Sequence, residues 1–166
     1  IGQHALRLQD AGQDAYNVAV GYYAGAVIST GLRNTIMGAL AGDALTDADD
    51  NVAVGAYSLT ADTKGSRTVA IGKEALAAQN MTTATNSNNV AVGAFAGNIL
   101  TSGIKNTLVG ADAGNSITGA GFDAGSPYAR ITGGDSNVLL GYAAGQNITT
   151  GDSNIMIGTV DAASAT

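Results

Sequence analysis

The chain has no cysteine, no tryptophan, one proline, one histidine and one glutamate in 166 residues. Without cysteine there is no disulfide framework, no thiolate metal site and no cysteine nucleophile. With His4 as the lone histidine, a zinc site or a Ser/His triad would need a ligand borrowed from another chain. Glycoside cleavage needs two carboxylates facing each other across a cleft. Here the 13 acids, of which only Glu74 is a glutamate, are scattered over turn-like stretches. Neither an enzyme nor a cofactor is expected. Lys and Arg total 7, the net charge is −6, and there is no basic run. That balance argues against a nucleic-acid groove and a polybasic membrane anchor. No apolar run approaches the roughly 20 residues of a membrane helix, and no signal peptide is visible. The chain starts inside a repeat and without Met, so it is read as a piece of something longer.

Glycine is abundant, 24 residues, and it is periodic. Asn51-Val52-Ala53-Val54-Gly55 recurs as Asn17–Gly21, Asn34–Gly38, Thr68–Gly72, Asn89–Gly93, Asn106–Gly110, Asn137–Gly141 and Asn154–Gly158, and Ile1-Gly2 is the tail of another copy. The gaps between these glycines are 19, 17, 17, 17, 21, 17, 31 and 17 residues. The period is therefore 17, with insertions of 2, 4 and 14 residues, near 7–16, 81–88 and 119–133. A fixed period of this kind marks a repeat architecture. Each unit also holds a second β-prone run (Val27–Thr30, Ile99–Thr101, Ile148–Thr150) and often a further glycine (Gly31, Gly65, Gly103, Gly151). Glycine this frequent and runs this short disfavour helix, and a βαβ unit needs about 30 residues. The expected fold is all-β, a parallel β-solenoid with one 17-residue coil per repeat over 1–158. The motif glycine suits a corner of positive φ. The asparagine tolerates left-handed backbone and stacks on its copy in the next coil. Nine coils stacked at about 4.8 Å would make a rod of about 43 Å.

The strands are apolar on both faces, where a half-buried strand would alternate. One face carries Val18/Val20, Thr35/Met37, Val52/Val54, Val69/Ile71, Val90/Val92, Thr107/Val109, Val138/Leu140 and Ile155/Ile157. The other carries Ala19, Ile36, Ala53, Ala70, Ala91, Leu108, Leu139 and Met156. A thin coil hides only one row, and the small, Ala-rich row is the expected inner one. The other row would be an exposed stripe of several hundred Å², at or above what a soluble monomer shows. It is expected to be an interface between parallel rods, a dimer or trimer by closed symmetry.

The run Asn-x-Ala-x-Gly-x-x-Ala-Leu/Gly resembles the β-roll heads of trimeric autotransporter adhesins (YadA-like heads). The Asn-Val-Ala-Val-Gly-x-x-Ala-Gly form at 17-residue spacing is still more similar to repeats in tail-fibre proteins of marine phages, cyanophages especially. The resemblance covers about 17–158; Thr68, Leu59, Leu76 and the insertions depart from it. It implies a left-handed roll and a homotrimer, and 159–166 as an exit into a further module. It also implies a structural and adhesive role in a virion fibre, alongside other fibre or tail proteins, with a host-surface glycan or protein as target. The alternative is the head of a bacterial adhesin at the cell surface. An ice-binding solenoid ranks lower, because Thr30 falls out of register with Thr46, Thr63 and Thr101.

Insertions on a rigid repeat scaffold are where solenoids place binding groups. The longest holds Phe122, Asp123, Pro127, Tyr128 and Arg130. Aromatic rings beside an arginine suit a sugar or a protein anchor. The insertion at Met81–Asn88 reads as a solvated loop. The Asp47/Asp49/Asp50 cluster reads as a solvated turn, since its spacing matches no calcium loop. Tyr22, Tyr23, Tyr57, Phe95 and Tyr142, which follow corner glycines, read as braces of the roll edge or of a neighbouring chain.

Overall fold

The computed structural model describes residues 1–115, 134–145 and 151–158. It is an all-β solenoid. Eight three-residue strands, β1 (Val18–Val20), β2 (Thr35–Met37), β3 (Val52–Val54), β5 (Val69–Ile71), β7 (Val90–Val92), β8 (Thr107–Val109), β9 (Val138–Leu140) and β10 (Ile155–Ile157), pair in that order in one parallel sheet. Register is strict: Ala19 lies beside Ile36, Ile36 beside Ala53, and so on to Leu139 beside Met156. The three insertions do not disturb it. Two shorter strands, β4 (Gly65–Ser66) and β6 (Thr85–Asn86), form a second parallel pair. The eight main strands span seven steps of about 4.8 Å each.

The second β-prone run does not form strands at Val27–Thr30 or Ile99–Thr101; Ile148–Thr150 lies outside the described residues. The coil turns too often there. Each coil has left-handed backbone at the second and fourth residues after the motif glycine and at the residue before the next asparagine, as at Tyr23, Gly25 and Arg33. An extended segment has no room between such corners. The left-handed residue is thus the one preceding each motif asparagine (Arg33, Asp50, Asn88, Lys105) or Thr68 (Arg67), not the motif residue itself. Neighbouring coils still bond through single amides along this run, Ser29 N to Thr46 O and Thr46 N to Thr63 O.

The asparagines stack as a buried ladder. Asn34 N donates to Asn17 Oδ1, Asn51 N to Asn34 Oδ1 and Asn106 N to Asn89 Oδ1, while each Nδ2 crosses its own coil to a carbonyl (Asn34 to Ala48, Asn51 to Gly65, Asn106 to Gly134). These bonds satisfy backbone groups that are buried from water. Asn51→Ala strips partners from the buried Thr68 N–H and Gly65 carbonyl. The expected cost is about 2–3 kcal/mol, read as a fall in the urea midpoint. A change below about 0.5 kcal/mol would mean that the ladder is not structural.

The inner row is the small one. Ala53, Ala70, Ala91, Ile36 and Leu139 are fully buried, while the flanking strand residues are half-buried or exposed. The rest of the core volume comes from one of two places. Coils with glycine four residues after the motif glycine (Gly25, Gly42, Gly97) fill the core three residues later with Ile28, Leu45 or Leu100. A Cβ on Gly25 or Gly42 would meet the Ile28 or Leu45 side chain. Coils with leucine at the first place (Leu6, Leu59, Leu76) have Gln9, Asp62 or Gln79 at the second. In these six coils the volume is supplied once, from one side or the other.

Candidate functional site

The outward face of the main sheet is the largest feature with chemistry of its own. The first and third strand residues point away from the core in two adjacent columns of eight. Fourteen of these sixteen positions are apolar, and the other two are Thr35 and Thr107. Val18 is 52 % exposed, Met37 46 % and Ile157 74 %, and Val52, Val54, Val90, Val92 and Val138 are half-buried. The backbone places them so: three-residue strands in register repeat one side-chain pattern at each step. No ionisable group lies in the two columns, so the face offers apolar area and no acid, base or nucleophile.

Charged groups sit at the other corners. Arg33 Nε donates to Asp50 Oδ1 at 2.6 Å, and Asp49 Oδ1 accepts the Leu32 N–H at 2.8 Å. The Asp47/Asp49/Asp50 cluster is therefore partly committed to Arg33, Lys64 and the backbone. The hydrogen bond from Arg33 holds the Asp50 carboxyl below its ordinary range and raises the guanidinium in turn. Partial burial raises the Asp43 carboxyl, opposed by the hydrogen bond from Thr60 Oγ1. Among the described residues no group of three His, Cys, Asp or Glu could hold a metal ion. The hydroxyls of Ser29, Thr46 and Thr63 donate to carbonyls of the next coil, so this column does not present a free hydroxyl array.

The two shorter insertions share one corner. In an uninterrupted coil Ser29 and Leu32, three residues apart, carry the coil-to-coil bonds on either side of it. The same two bonds fall on Asp10 and Ala15 in the first coil, and on Asn80 and Ser87 in the coil with the four-residue insertion. The described chain stops at Asn115 before the longest insertion. It resumes in register at Gly134 and Asp135, which take the Asn106 Nδ2 and Ile104 N–H bonds. Phe122, Asp123, Tyr128 and Arg130 lie outside the described residues.

Two groupings were not foreseen from the sequence. One is a buried polar chain. Asp62 accepts from Gly65 N, Met81 N and Gln79 Nε2, Gln79 accepts from Asn89 Nδ2, and the Thr68 and Ser87 hydroxyls bond each other. Its signal was there to read, since Asp62 and Gln79 interrupt an apolar column in the two units that carry Leu59 and Leu76. Gln9 Nε2, at the equivalent place in the first coil, is buried without a partner. The other grouping is a cluster of His4, Arg7, Tyr22 and Tyr23. The His4 and Tyr22 rings each lie 4.6 Å from Tyr23, centroid to centroid, and the Arg7 guanidinium is 5.8 Å from it.

Comparison with family models, with curated proteins and with solved structures finds no match to this chain.

Proposed function

We propose that this chain is a structural and adhesive fibre segment that works as a homotrimer of parallel rods, nine coils long when the Ile1-Gly2 rung is counted. The observation that carries this reading is the two-column apolar face along the main sheet. An apolar strip of this length, interrupted only by Thr35 and Thr107, exceeds the patches normal on a monomer. Closed symmetry places identical strips together without leaving an open end. The sequence resemblance favours three chains over two and a virion tail fibre as the setting, with the rod outside the cell. In that setting the rod positions binding groups, and three copies make weak contacts avid. The insertion corner, with Phe122, Asp123, Tyr128 and Arg130, is where such groups would be displayed to a host-surface glycan or protein.

The test is the mass of the purified chain in solution. A value near three times 16.3 kDa is expected. The double variant Val54→Lys/Val92→Lys places two charges on the face without touching the buried row. It is expected to reduce the mass to that of a single chain while far-UV circular dichroism stays unchanged. A folded parent of 16.3 kDa at high concentration would overturn the assembly and with it the fibre reading.

A further inference from the structure

We propose that the corner formed by His4, Arg7, Tyr22 and Tyr23 is a binding site for an acidic sugar, a hexuronate unit carrying a carboxylate on a pyranose ring. The register of the solenoid builds it. His4 and Tyr23 hold the same place in successive coils, two residues after Gly2 and Gly21, and both adopt left-handed backbone, with φ of 63° and 57°. Tyr23 is half-buried and braced by its neighbours: His4 is tilted at 50° to it and Tyr22 stands edge-on at 64°. Tyr22 remains 51 % exposed, and His4 and Arg7 are exposed as well. The cluster is a rigid aromatic step with donors beside it.

An unpaired cation beside aromatic rings distinguishes this corner. In a chain of net charge −6, Arg33, Lys64 and Lys73 each lie within 4.0 Å of a carboxylate. Arg7, Arg67 and Lys105 have no carboxylate within that distance among the described residues, and of these three only Arg7 lies over an aromatic ring, the Tyr23 ring that His4 also packs against. An exposed tyrosine ring offers a flat surface to the C–H face of a pyranose at low conformational cost. A guanidinium takes a carboxylate through paired N–H donors. A neutral sugar would use the ring alone and an inorganic anion the arginine alone, so the ligand that engages both is an acidic sugar.

The single histidine gives the test a clean signal, because its imidazole C–H resonances have no counterpart elsewhere in the chain. The full chain is titrated with trigalacturonate, maltotriose and sodium sulfate and followed at the His4 resonances. Trigalacturonate is expected to move them saturably, with a midpoint of order 1 mM. Tyr22→Ala is expected to weaken that binding at least about tenfold, and Tyr22→Phe, which keeps the ring, to preserve it. Arg7→Gln is expected to lower trigalacturonate to the affinity of maltotriose. Unchanged urea midpoints would exclude misfolding of the variants. The proposal is overturned if trigalacturonate leaves the resonances in place, if sulfate moves them equally, or if Arg7→Gln binds as the parent does. It is also overturned if the resonances ignore sugar and instead follow dilution in step with the mass, for then the corner is a contact between chains and the fibre reading stands without it. Binding by a 16.3 kDa single chain would leave the site in place and remove the fibre reading.

Discussion

Gly55→Ala is expected to cost more than about 4 kcal/mol, a large share of the roughly 5–15 kcal/mol that holds a domain folded. Two effects add. The backbone at Gly55 has φ of +130°, a region that side chains of L residues avoid, and occupying it costs about 1–3 kcal/mol. In addition, a Cβ at this position would run into the carbonyl group of Gly72 in the next coil. Backbone cannot swing aside as a long side chain can. Relief requires the two coils to part, which lengthens the bonds from Gly72 N to Val54 O and from Glu74 N to Ala56 O on either side. Gly21, Gly38, Gly72, Gly93 and Gly110 face the same obstacle, each beneath the glycine of the following coil. Gly12 supplies the control. Its φ is +64°, and a Cβ there meets nothing within 4 Å. Gly12→Ala should therefore cost only the strain of a left-handed alanine, about 1 kcal/mol. Urea midpoints of the two variants measure the difference. Equal, small losses would show that the stacked glycines are a matter of φ alone and that the coils tolerate separation.

That obstacle explains why the motif glycine was so legible in the sequence. A position with both a forbidden φ and a neighbour's carbonyl overhead admits one residue, so it repeats without variation and sets the period. The asparagine repeats for a similar reason: few side chains can accept from the next coil and donate across their own. The inner row was legible because Ala53, Ala70 and Ala91 are too small to need the outside. What failed was the second run. Val27–Thr30 looks like a strand by composition, but Ile28 is β-branched and apolar because it fills the core. The chain around it turns, so packing set the residue type there and not extension. The left-handed corners were also illegible. They hold Tyr23, Leu40, Tyr57, Glu74, Phe95 and Asp112 at one place and Arg33, Asp50, Arg67 and Lys105 at another. Residue type at these places is free because each φ is imposed by the bonds of adjacent coils. The outward face was legible as a pattern, since two apolar rows on a thin coil cannot both be hidden. Whether a second chain covers the face was not, because a partner leaves no mark on the period.

Asp62→Ala is the second large loss expected, about 4 kcal/mol. The carboxylate is fully buried and takes three donors: the Gly65 N–H at 3.0 Å, the Met81 N–H at 2.9 Å and the Gln79 amide. Removing it strands all three donors in the buried core, at about 1–3 kcal/mol each before relaxation. It also leaves a cavity. Two of the three donors belong to the segment leading into the four-residue insertion, so the exchange of β4–β6 amide protons should speed up more than that of the main sheet. Asp62→Leu does not rescue the fold, because Leu59 already fills the space that Leu45 fills in the coil before, and a second leucine overpacks it. The exchange of filling sites gives a sharper test. In Leu59→Gly/Asp62→Leu/Leu76→Gly/Gln79→Leu both coils take the arrangement of their neighbours, with the leucine supplied from the later position and no buried carboxylate. This quadruple variant should recover at least half of the stability that Asp62→Ala loses, although each of its single substitutions is destabilising. Such non-additivity is expected of side chains that share one space. If the four losses simply add, the two kinds of coil are not interchangeable and the pairing of leucine with a polar residue has another cause. If Asp62→Ala costs less than about 1 kcal/mol, the three donors find other partners and the polar chain does not hold the insertion in place.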